Sequence, residues 1–285
     1  MQFIINPLAG KFKRKGILKR ILNCLNVFHR SAKIAFTEGR SHASELASRY
    51  VADGVRTIVS IGGDGTLNEI IHGIGGSNTS IGLVPMGSGN DFARSLGLYR
   101  HPFRIIKGLT DCGTRTVDIA KVDDQYFLNI MGTGIDAEVI KHLEGARTYF
   151  RGFYHALLDH KPGDYQIKID GIVHDFWDVN GIFVANGKYF GRRMKISPNS
   201  ILDDGLLEVI VIYGLSKARL FMLFPKIYVG AHITHAHNIK IFQAKNIEIT
   251  ASKEVPFQRD GELFSSKKVK IEILPGGVEF LSPKE

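Results

Sequence analysis

The sequence predicts an α/β N-terminal domain with a parallel sheet, followed by a mainly antiparallel β-sandwich as a second domain. In the first part of the chain, short β-branched runs alternate with segments of helical spacing, the pattern of strands joined by helical crossovers. From residue 114 onward, strand-like runs follow one another with only turns between them. We therefore expect a first domain at residues 1–115 and a β-rich domain at residues 116–285, the last few residues of which can return to the first domain.

In the first domain, strands are expected at residues 2–5, 33–36, 57–61 and 80–84. Apolar residues recur at helical spacing before residue 28 and over residues 41–50, so we expect helices between the strands. Ligands of parallel sheets bind beyond the carboxyl ends of the strands, and the residues there are expected to share one cleft. These residues are Asn6, Pro7, Thr37, 62–66 and 87–91.

The second domain is expected to be a series of strands interrupted by two helical insertions. The strands are expected at residues 116–122, 125–131, 165–169, 178–185, 206–213, 246–250 and 269–274. The insertion at residues 146–159 carries Tyr149, Phe150, Phe153 and Tyr154, and the other insertion lies at residues 216–229. Residues 132–137 fit the G-x-G-x-x-A dinucleotide pattern, but they lie among strands, so a turn is favoured there.

The composition is that of a globular protein with a basic surface. The formal charge is +9, and the basic residues before position 34 form either a solvated helix face or a surface that attracts anions. Basic and aromatic residues are not interleaved, so no nucleic-acid partner is expected. No apolar run approaches the roughly 18–20 residues of a membrane span, and we expect no signal peptide. The 2 cysteines lie far apart, which favours reduced thiols and a cytoplasmic location.

Two glycine-rich loops follow neighbouring strands, and each contains an aspartate. Residues 61–69 read Ile-Gly-Gly-Asp-Gly-Thr-Leu-Asn-Glu, and residues 87–93 read Gly-Ser-Gly-Asn-Asp-Phe-Ala. Such a loop between a strand and a helix offers backbone N–H groups without Cβ atoms, which suits phosphate. A carboxylate among phosphates is expected where a divalent cation lies between them, so Asp64 and Asp91 predict a metal–phosphate site. Tight turns in an ordinary α/β sheet are the alternative.

These loops resemble the nucleotide-loop motifs of the soluble lipid kinases, the family of diacylglycerol, sphingosine and ceramide kinases. Residues 129–137, 202–206 and 259–262 resemble later family motifs in the same order, so the resemblance covers nearly the whole chain. It implies a first domain like that of the NAD kinases and 6-phosphofructokinases, which are similar at Gly-Gly-Asp-Gly-Thr. It also implies transfer of the γ-phosphoryl group of MgATP to a lipid hydroxyl, with diacylglycerol as the default acceptor and phosphatidic acid as product.

The resemblance also implies roles for individual residues. Asp260 would be the general base and Glu262 would help to arrange the metal and its waters, although the two roles can be exchanged. Asp64, Asp91 and Asp118 would hold a catalytic Mg²⁺. Asp204, with the carbonyls of Ile201 and Leu206, would hold a structural Mg²⁺. The residues expected at the nucleotide are Asn6, Pro7, Thr37, Gly62, Gly63, Asp64, Gly65, Thr66, Gly87, Ser88, Gly89 and Asn90.

The identity of the acceptor is open at this point. A kinase of sphingoid bases, ceramide or another lipid alcohol would be consistent with the same motifs. The first loop is also consistent with a kinase that phosphorylates NAD, or with a nucleotide-binding regulator that no longer catalyses. Gly191-Arg192-Arg193 stands where these kinases often have a run of glycines, and its arginines suit a phosphate, a lipid headgroup or plain surface. We expect peripheral contact with an anionic membrane surface during turnover, through the aromatic insertion and the basic surface. The sequence also allows a homodimer.

Overall fold

The computed structural model describes residues 1–98, 101–143, 149–234 and 237–283. The chain forms two compact units. The first unit comprises Met1–Asp118 together with the C-terminal segment from Gly276, and the second comprises Ile119–Pro275. Within the described ranges, no helix is both long enough and apolar enough to cross a membrane.

The first unit is a parallel sheet with helices between its strands. Its elements are β1 (Gln2–Ile5), α1 (Ile17–Phe28), β2 (Lys33–Phe36), α2 (His42–Ala52), β3 (Thr57–Gly62), α3 (Asp64–Ile74), β4 (Ser80–Pro85), α4 (Asp91–Ser95) and α5 (Pro102–Gly108). The strands lie in the order β2, β1, β3, β4 and all pairs are parallel. Near the end of the chain, Phe280 pairs in parallel with Ile81 of β4. The predicted α/β domain with a parallel sheet is confirmed.

The apolar residues of the strands and helices meet in one core in this unit. Phe3 and Ile61 are fully buried, and Ile21 and Leu25, one helical turn apart on α1, pack against them. Helix α5 was not expected, because its seven residues are too few for a periodic pattern. It begins at Pro102, a residue that suits the first turn of a helix.

In its described residues, the second unit is an antiparallel β-structure with three α-helices, and this confirms the predicted mainly antiparallel β fold class. Strand β5 (Cys112–Val122) runs from the first unit into the second. The elements that follow it are β6 (Gln125–Phe127), β7 (Ile130–Gly134), α6 (Ile135–Leu143), α7 (Tyr149–Asp159), β8 (Gly163–Ile169), β9 (Ile172–Ala185), β10 (Leu207–Tyr213), α8 (Lys217–Ile227), β11 (Ile239–Ala244), β12 (Asn246–Arg259) and β13 (Glu262–Pro283). Strand β13 returns the chain to the first unit.

Two long strands organise this unit. Strands β9 and β12 each pair with β7 at one end and with β8 at the other, always antiparallel. Alternate residues of these strands point inward and form a buried core with members such as Ile167, Val184 and Phe257. A second apolar cluster lies where α6, α7 and α8 pack on the other face, and it includes Phe153 and Phe224, whose rings stack at 4.0 Å between centroids.

The structure corrects several expected elements. The single strand expected at residues 125–131 is two strands, β6 and β7. The turn expected at residues 132–137 is the passage from β7 into α6, where Gly134 has a φ of 72°. Of the helical insertion expected at residues 146–159, residues 146–148 and the side chain of Tyr149 lie outside the described part of the chain.

Candidate active site

The two glycine loops of the first unit touch each other at their backbones. The N–H groups of Met86 and Gly87 both donate to the carbonyl of Gly62, at 2.6 and 3.1 Å. A Cβ atom at Gly87 would lie 2.5 Å from the Cα of Gly63, closer than real Cβ atoms approach any heavy atom. The loops therefore depend on glycine for their contact, and the sheet order that sets β3 beside β4 brings them together.

The N-terminal loop after β1 lies against both glycine loops. Asn6 Nδ2 donates to Thr66 Oγ1 at 3.0 Å. A Cβ atom at Gly10 would lie 2.3 Å from Ser88 Oγ, so this glycine also permits a close approach. Asn90, at a φ of 54°, closes its own loop through reciprocal bonds of its amide with the N–H and carbonyl of Gly87, each 2.8 Å.

The remaining residues expected at the nucleotide lie in the same unit. Pro7 follows Asn6 and is half-buried. Thr37 is buried, and its N–H donates to the carbonyl of Ile5 at 2.9 Å. Gly65 is exposed in the first turn of α3, and a Cβ atom there would meet no heavy atom within 4 Å.

Asp64 and Asp91 lie close together beside Gly89. A Cβ atom at Gly89 would lie 3.1 Å from Asp91 Oδ2 and 3.3 Å from Asp64 Oδ2. The carboxylate of Asp64 accepts the N–H groups of Asp91 at 3.1 Å and Phe92 at 3.2 Å, which belong to the first turn of α4. Burial, and then the charge of Asp91, raise the pKa of Asp64, and the backbone N–H donors oppose the rise.

This donor set suits a hard divalent cation. Two carboxylates that repel each other would be relieved by a positive ion between them, and oxygen ligands are the ones that Mg²⁺ prefers. Among the described residues, no group of three or more His, Cys, Asp or Glu side chains could hold a metal ion. An ion at Asp64 and Asp91 would therefore need water or phosphate oxygens as further ligands.

Asp118, the third acid expected at the catalytic metal, has a structural bond. It is buried, and its Oδ1 accepts the N–H of Gly276 at 2.7 Å. This bond fixes the point at which β13 re-enters the first unit. Asp118 does not complete a three-acid cluster with Asp64 and Asp91.

A group of basic side chains beside the loops has no counterpart among the site residues predicted from the sequence. Lys11 Nζ donates to the carbonyl of Pro85, the last residue of β4, at 2.8 Å. Burial, and then the charges of Arg14 and Arg94, lower the pKa of Lys11. Cations next to a phosphate-sized glycine loop can bind a nucleotide's phosphates. The signal available in the sequence was the position of Lys11 in the loop that follows β1.

Asp260 holds a turn of the second unit in place. It lies at the turn between β12 and β13 with a φ of 44°. Its Oδ2 accepts the N–H of Leu128 at 2.6 Å, and its Oδ1 accepts those of Asn129 at 3.0 Å and Ile130 at 3.1 Å. A carboxylate has about four acceptor positions, so three backbone donors orient Asp260 firmly without using all of them.

Glu262, two residues later, differs from Asp260 in its environment. Its side chain is 67% exposed and lies 3.7 Å from Arg259 Nη2. An exposed pair of this kind contributes little to stability. Asp260 is held in one orientation by three backbone donors, whereas Glu262 is exposed and has only a long contact with Arg259. Asp260 is therefore the better-positioned of the two carboxylates.

Asp136 is an ionisable residue that the sequence did not single out. It is fully buried at the start of α6, and burial raises its pKa to about 7 against the hydrogen bond that it accepts from Gln258. Gln258 Nε2 lies 2.7 Å from Asp136 Oδ2, and Gln258 Oε1 accepts the N–H of Gly261 at 2.9 Å. This network links Asp136 to the turn that carries Asp260. Among the described residues, Asp136 Oδ1 has no hydrogen-bond partner.

Asp136 also lines an apolar cavity. The cavity lies under α6, α7 and α8 and has a volume of about 40 Å³. Its walls are formed by Ile135, Asp136, Val139, Phe153, Phe183, Phe190, Met194, Ile212, Leu220, Leu223, Phe224 and Ile227. Small-molecule pockets typically have ~300–1,000 Å³, so a lipid chain could enter only if these helices move apart.

The residues expected at a structural Mg²⁺ form a turn before β10. Asp204 Oδ1 accepts the N–H of Leu206 at 3.0 Å, and Ile201 is 50% exposed. Nearby, Glu208 is buried and accepts a hydrogen bond from the Ser197 hydroxyl. Burial raises the pKa of Glu208, and the charge of Asp204 adds to the rise. A cation would relieve this repulsion, so the donor set is compatible with one.

Comparison with known families gives two matches that together span most of the chain. Residues 1–122 match the diacylglycerol kinase catalytic domain, and residues 129–282 match the YegS C-terminal NAD kinase beta sandwich-like domain. A diacylglycerol kinase of Staphylococcus haemolyticus is 28% identical over 293 residues, with 100% of this chain and 88% of that relative covered. A diacylglycerol kinase of Mycobacterium tuberculosis is 25% identical, with 99% of this chain and 94% of that relative covered.

Solved structures have the same fold. A structure described as a diacylglycerol kinase of Bacillus anthracis superposes with a TM-score of 0.77 at 24% identity and covers 99% of this chain and 96% of its own. Another structure from the same organism reaches a TM-score of 0.82 at 27% identity, with 99% and 94% covered.

Proposed function

The chain belongs to the diacylglycerol kinase family and is a phosphotransferase with an alcohol group as acceptor; we propose that it transfers the γ-phosphoryl group of MgATP to the hydroxyl of a lipid, with diacylglycerol first. The observation that carries this proposal is the contact between two glycine loops that place Asp64 and Asp91 side by side. Glycine-rich loops suit phosphate and paired carboxylates suit a divalent cation, so together they fit a cation–polyphosphate ligand.

In this proposal the first unit binds the nucleotide. The residues assigned to it are Asn6, Pro7, Thr37, the loop at 62–66 and the loop at 87–90. Lys11 joins them because its amine is fixed beside the second loop. Asp64 and Asp91 would hold Mg²⁺, and Asp118 would contribute only through a water molecule. When bound, Mg²⁺ neutralises charge on the phosphates.

The second unit supplies the proposed base. Asp260 accepts the proton of the lipid hydroxyl while the hydroxyl oxygen bonds to the γ-phosphorus and the bond to the β-phosphate oxygen breaks, so that ADP leaves. Three backbone donors hold its carboxylate in one orientation, which is what a positioned base requires. The structural Mg²⁺ at Asp204, Ile201 and Leu206 would stabilise the turn before β10 without taking part in the reaction.

Two features of the second unit support a lipid as the acceptor. The apolar cavity under α6, α7 and α8 would take an acyl chain once these helices move apart, and Asp136 places one polar group in it. On the surface, Phe150, Tyr154 and Leu158 are exposed at four-residue intervals along one face of α7. An exposed apolar face of this kind suits peripheral contact with a bilayer during turnover.

The test is transfer of labelled γ-phosphate to dispersed lipids by the wild-type protein and by Asp260→Asn. We expect diacylglycerol to be phosphorylated, with sphingoid bases, ceramide and NAD as comparison acceptors. The asparagine variant should lose at least about 100-fold in kcat, since positioned bases contribute roughly 10²–10⁴. Glu262→Gln is the matched control and should lose far less. Equal turnover by Asp260→Asn would remove Asp260 as the base, and preferred transfer to NAD would remove the lipid assignment.

A further inference from the structure

The turn that carries Asp260 is a two-residue hairpin whose second residue bonds to a side chain. Asp260 and Gly261 have φ angles of 44° and 92° and join β12 to β13, where Arg259 pairs with Glu262. In such a hairpin the N–H of the second turn residue has no partner on the opposite strand. Here the N–H of Gly261 donates to Oε1 of Gln258 at 2.9 Å. The backbone of the turn is therefore tied to a side chain of β12.

The amide of Gln258 is buried, and its orientation is set by a carboxyl group. Gln258 is 2% exposed, and its Nε2 donates to Asp136 Oδ2 at 2.7 Å. Because the amide oxygen accepts the N–H of Gly261, the NH₂ group must face the other side, where the carboxyl oxygen accepts it. A reversed amide would place its NH₂ group against the N–H of Gly261. Asp136 therefore favours the orientation in which Gln258 can bond to the turn.

A glycine in the neighbouring strand leaves space for this contact. Gly132 of β7 lies opposite Gln258 in the pairing of β7 with β12. A Cβ atom at Gly132 would lie 2.2 Å from Asp136 Oδ2, so any other residue there would displace the carboxyl group. The absence of a side chain at this position lets Asp136, at the start of α6, reach Gln258.

The buried pair is costly for the fold. A carboxyl group and an amide both lose hydration on burial, and two apolar side chains could occupy the same space without this cost. Among the described residues, Asp136 Oδ1 has no hydrogen-bond partner, so the cost is only partly offset. Packing alone therefore does not explain the pair, whereas a role at the Asp260 turn does.

The same turn carries the bonds that orient the proposed base. The N–H of Asp260 donates to the carbonyl of Ile130 at 3.0 Å, and its carboxylate accepts the N–H groups of residues 128–130. A shift of Gly261 would move the adjoining Asp260 relative to these groups. Misplacement of a reacting group by ~1 Å can lower a rate by roughly 100-fold, so the bond to Gly261 matters for a base.

We propose that Gln258 and Asp136 are positioning residues for the Asp260 base: Gln258 holds the turn through Gly261, and Asp136 orients the amide of Gln258. The inference rests on the proposed function for the role of Asp260. It adds two buried residues that act through the turn and do not touch the substrate.

The first test compares kcat, KM and thermal unfolding of full-chain variants with MgATP and dispersed diacylglycerol. Gln258→Met removes the amide and should lower kcat about 10- to 100-fold, with the KM for ATP unchanged. Asp136→Leu removes the acceptor and should also lower kcat, whereas Asp136→Asn can turn its oxygen toward Gln258 and should lose far less. Thr133→Val is the matched control. It removes a buried hydrogen bond of 2.7 Å to the carbonyl of Pro256 between the same two strands, and it should lower stability without changing kcat.

The double variant separates positioning from a merely structural role. Asp136→Leu/Gln258→Met replaces both polar partners by apolar groups, so it should be at least as stable as either single variant. Its kcat should nevertheless stay as low as that of Gln258→Met, because the N–H of Gly261 still lacks the amide oxygen. If the two residues only stabilised the fold, kcat would recover together with stability.

A second measurement needs no turnover. Hydrogen exchange at the backbone N–H groups of residues 128–130 reports how firmly the Asp260 carboxylate is held against them. Exchange there should be about 10-fold or more faster in Gln258→Met than in the wild type. It should change far less in Thr133→Val.

The inference is overturned if Gln258→Met keeps the kcat of the wild type, or if Asp136→Leu and Asp136→Asn have the same kcat. Recovery of kcat in the double variant, or unchanged exchange at residues 128–130 in Gln258→Met, would also overturn it. The proposed function would fail in a different way. Faster exchange in Gln258→Met together with full turnover by Asp260→Asn would keep the assignment of Gln258 to this turn and remove Asp260 as the base.

Discussion

The carboxylate of Asp64 has two kinds of neighbour. It accepts two backbone N–H groups at the start of α4, and it lies beside the charge of Asp91. The first contact holds the second glycine loop against the first, and the second makes the pair a candidate cation site. Because one side chain serves both the fold of the loops and the proposed metal, its replacement tests both at once.

At Lys11, we predict that Lys11→Met weakens nucleotide binding without unfolding the protein. The methionine keeps the aliphatic stem and removes the amine that is fixed beside the second loop. The KM for ATP should rise about 10-fold or more, the scale of a charge-assisted hydrogen bond, while the KM for lipid stays unchanged. Lys13→Met, a change at an exposed neighbouring lysine, is the control. An unchanged KM for ATP would show that Lys11 only donates its hydrogen bond to the carbonyl of Pro85 and does not bind the nucleotide.

Asp136 should make stability depend on pH. Its folded-state pKa of about 7 lies above the ordinary aspartate value of 3.8, so the protonated form is favoured by folding. The contribution is fully present below the unfolded pKa and is lost as pH rises through about 7. The free energy of unfolding should fall by up to about 4 kcal/mol across this window. Asp136→Asn should flatten the fall, measured by urea unfolding at about pH 5 and about pH 8, between which about 3 kcal/mol of it lies. A fall of the same size in the variant would contradict the assignment.

At the scale of elements, the passages from β3 into α3 and from β4 into α4 form one structure. Each loop alone is a tight turn, and backbone hydrogen bonds from Met86 and Gly87 to the carbonyl of Gly62 join the two loops. Two glycines in these loops should respond to alanine in opposite ways.

Gly87→Ala should destabilise the first unit. The new Cβ atom would lie 2.5 Å from the backbone of Gly63, which must shift, and overpacking of this kind costs about 1–3 kcal/mol. Gly65→Ala should fold at least as well as the wild type, since its Cβ atom meets no heavy atom within 4 Å and alanine favours the helix by about 1 kcal/mol. Gly65→Ala should nevertheless lose ATP affinity if phosphate approaches this turn. Urea unfolding and nucleotide titration separate the two effects, and full ATP affinity in Gly65→Ala would place the phosphates elsewhere.

At the scale of the whole molecule, the basic balance of +9 suits a protein that handles a polyanionic nucleotide and an anionic surface. Anion binding must nevertheless be specified by the loops, because net charge alone attracts every anion. Dependence of nucleotide binding on Mg²⁺ would distinguish binding at the loops from this general attraction.

We predict that Mg²⁺ and ATP together stabilise the protein against heat, and that ATP with EDTA does so much less. A ligand at about 100 times its Kd adds about 2.7 kcal/mol, which shifts Tm by several degrees. In Asp64→Asn the difference between the two conditions should largely disappear. Equal shifts with and without Mg²⁺ in the wild type would argue against the paired carboxylates as a cation site.

Local pattern was enough to predict the family and the fold class. The alternation of strands and helices in the first part, the succession of strands in the second and the two aspartate-bearing loops all depend on residues within a few positions of each other. The nucleotide and metal residues stay predictions, although the structure places Asn6 against Thr66 and Gly63 against Gly87 as one cleft would require. Asp136 and Lys11 were missed because their surroundings come from other elements, and helix α5 was missed because seven residues are too few for a periodic pattern.

The sequence by itself determined which stretches can be strands, which turns need glycine and where acids stand beside phosphate-sized loops, because these properties follow from the period and chemistry of neighbouring residues. Only the tertiary structure decided that Asp260 is bonded to an N–H group 132 positions away, that Asp136 is buried, and that Gln258 joins Asp136 to the turn of Asp260. Contacts of this kind depend on how strands pair and where helices pack, and burial, which sets pKa values and exposes or hides a charge, is a property of the packed chain.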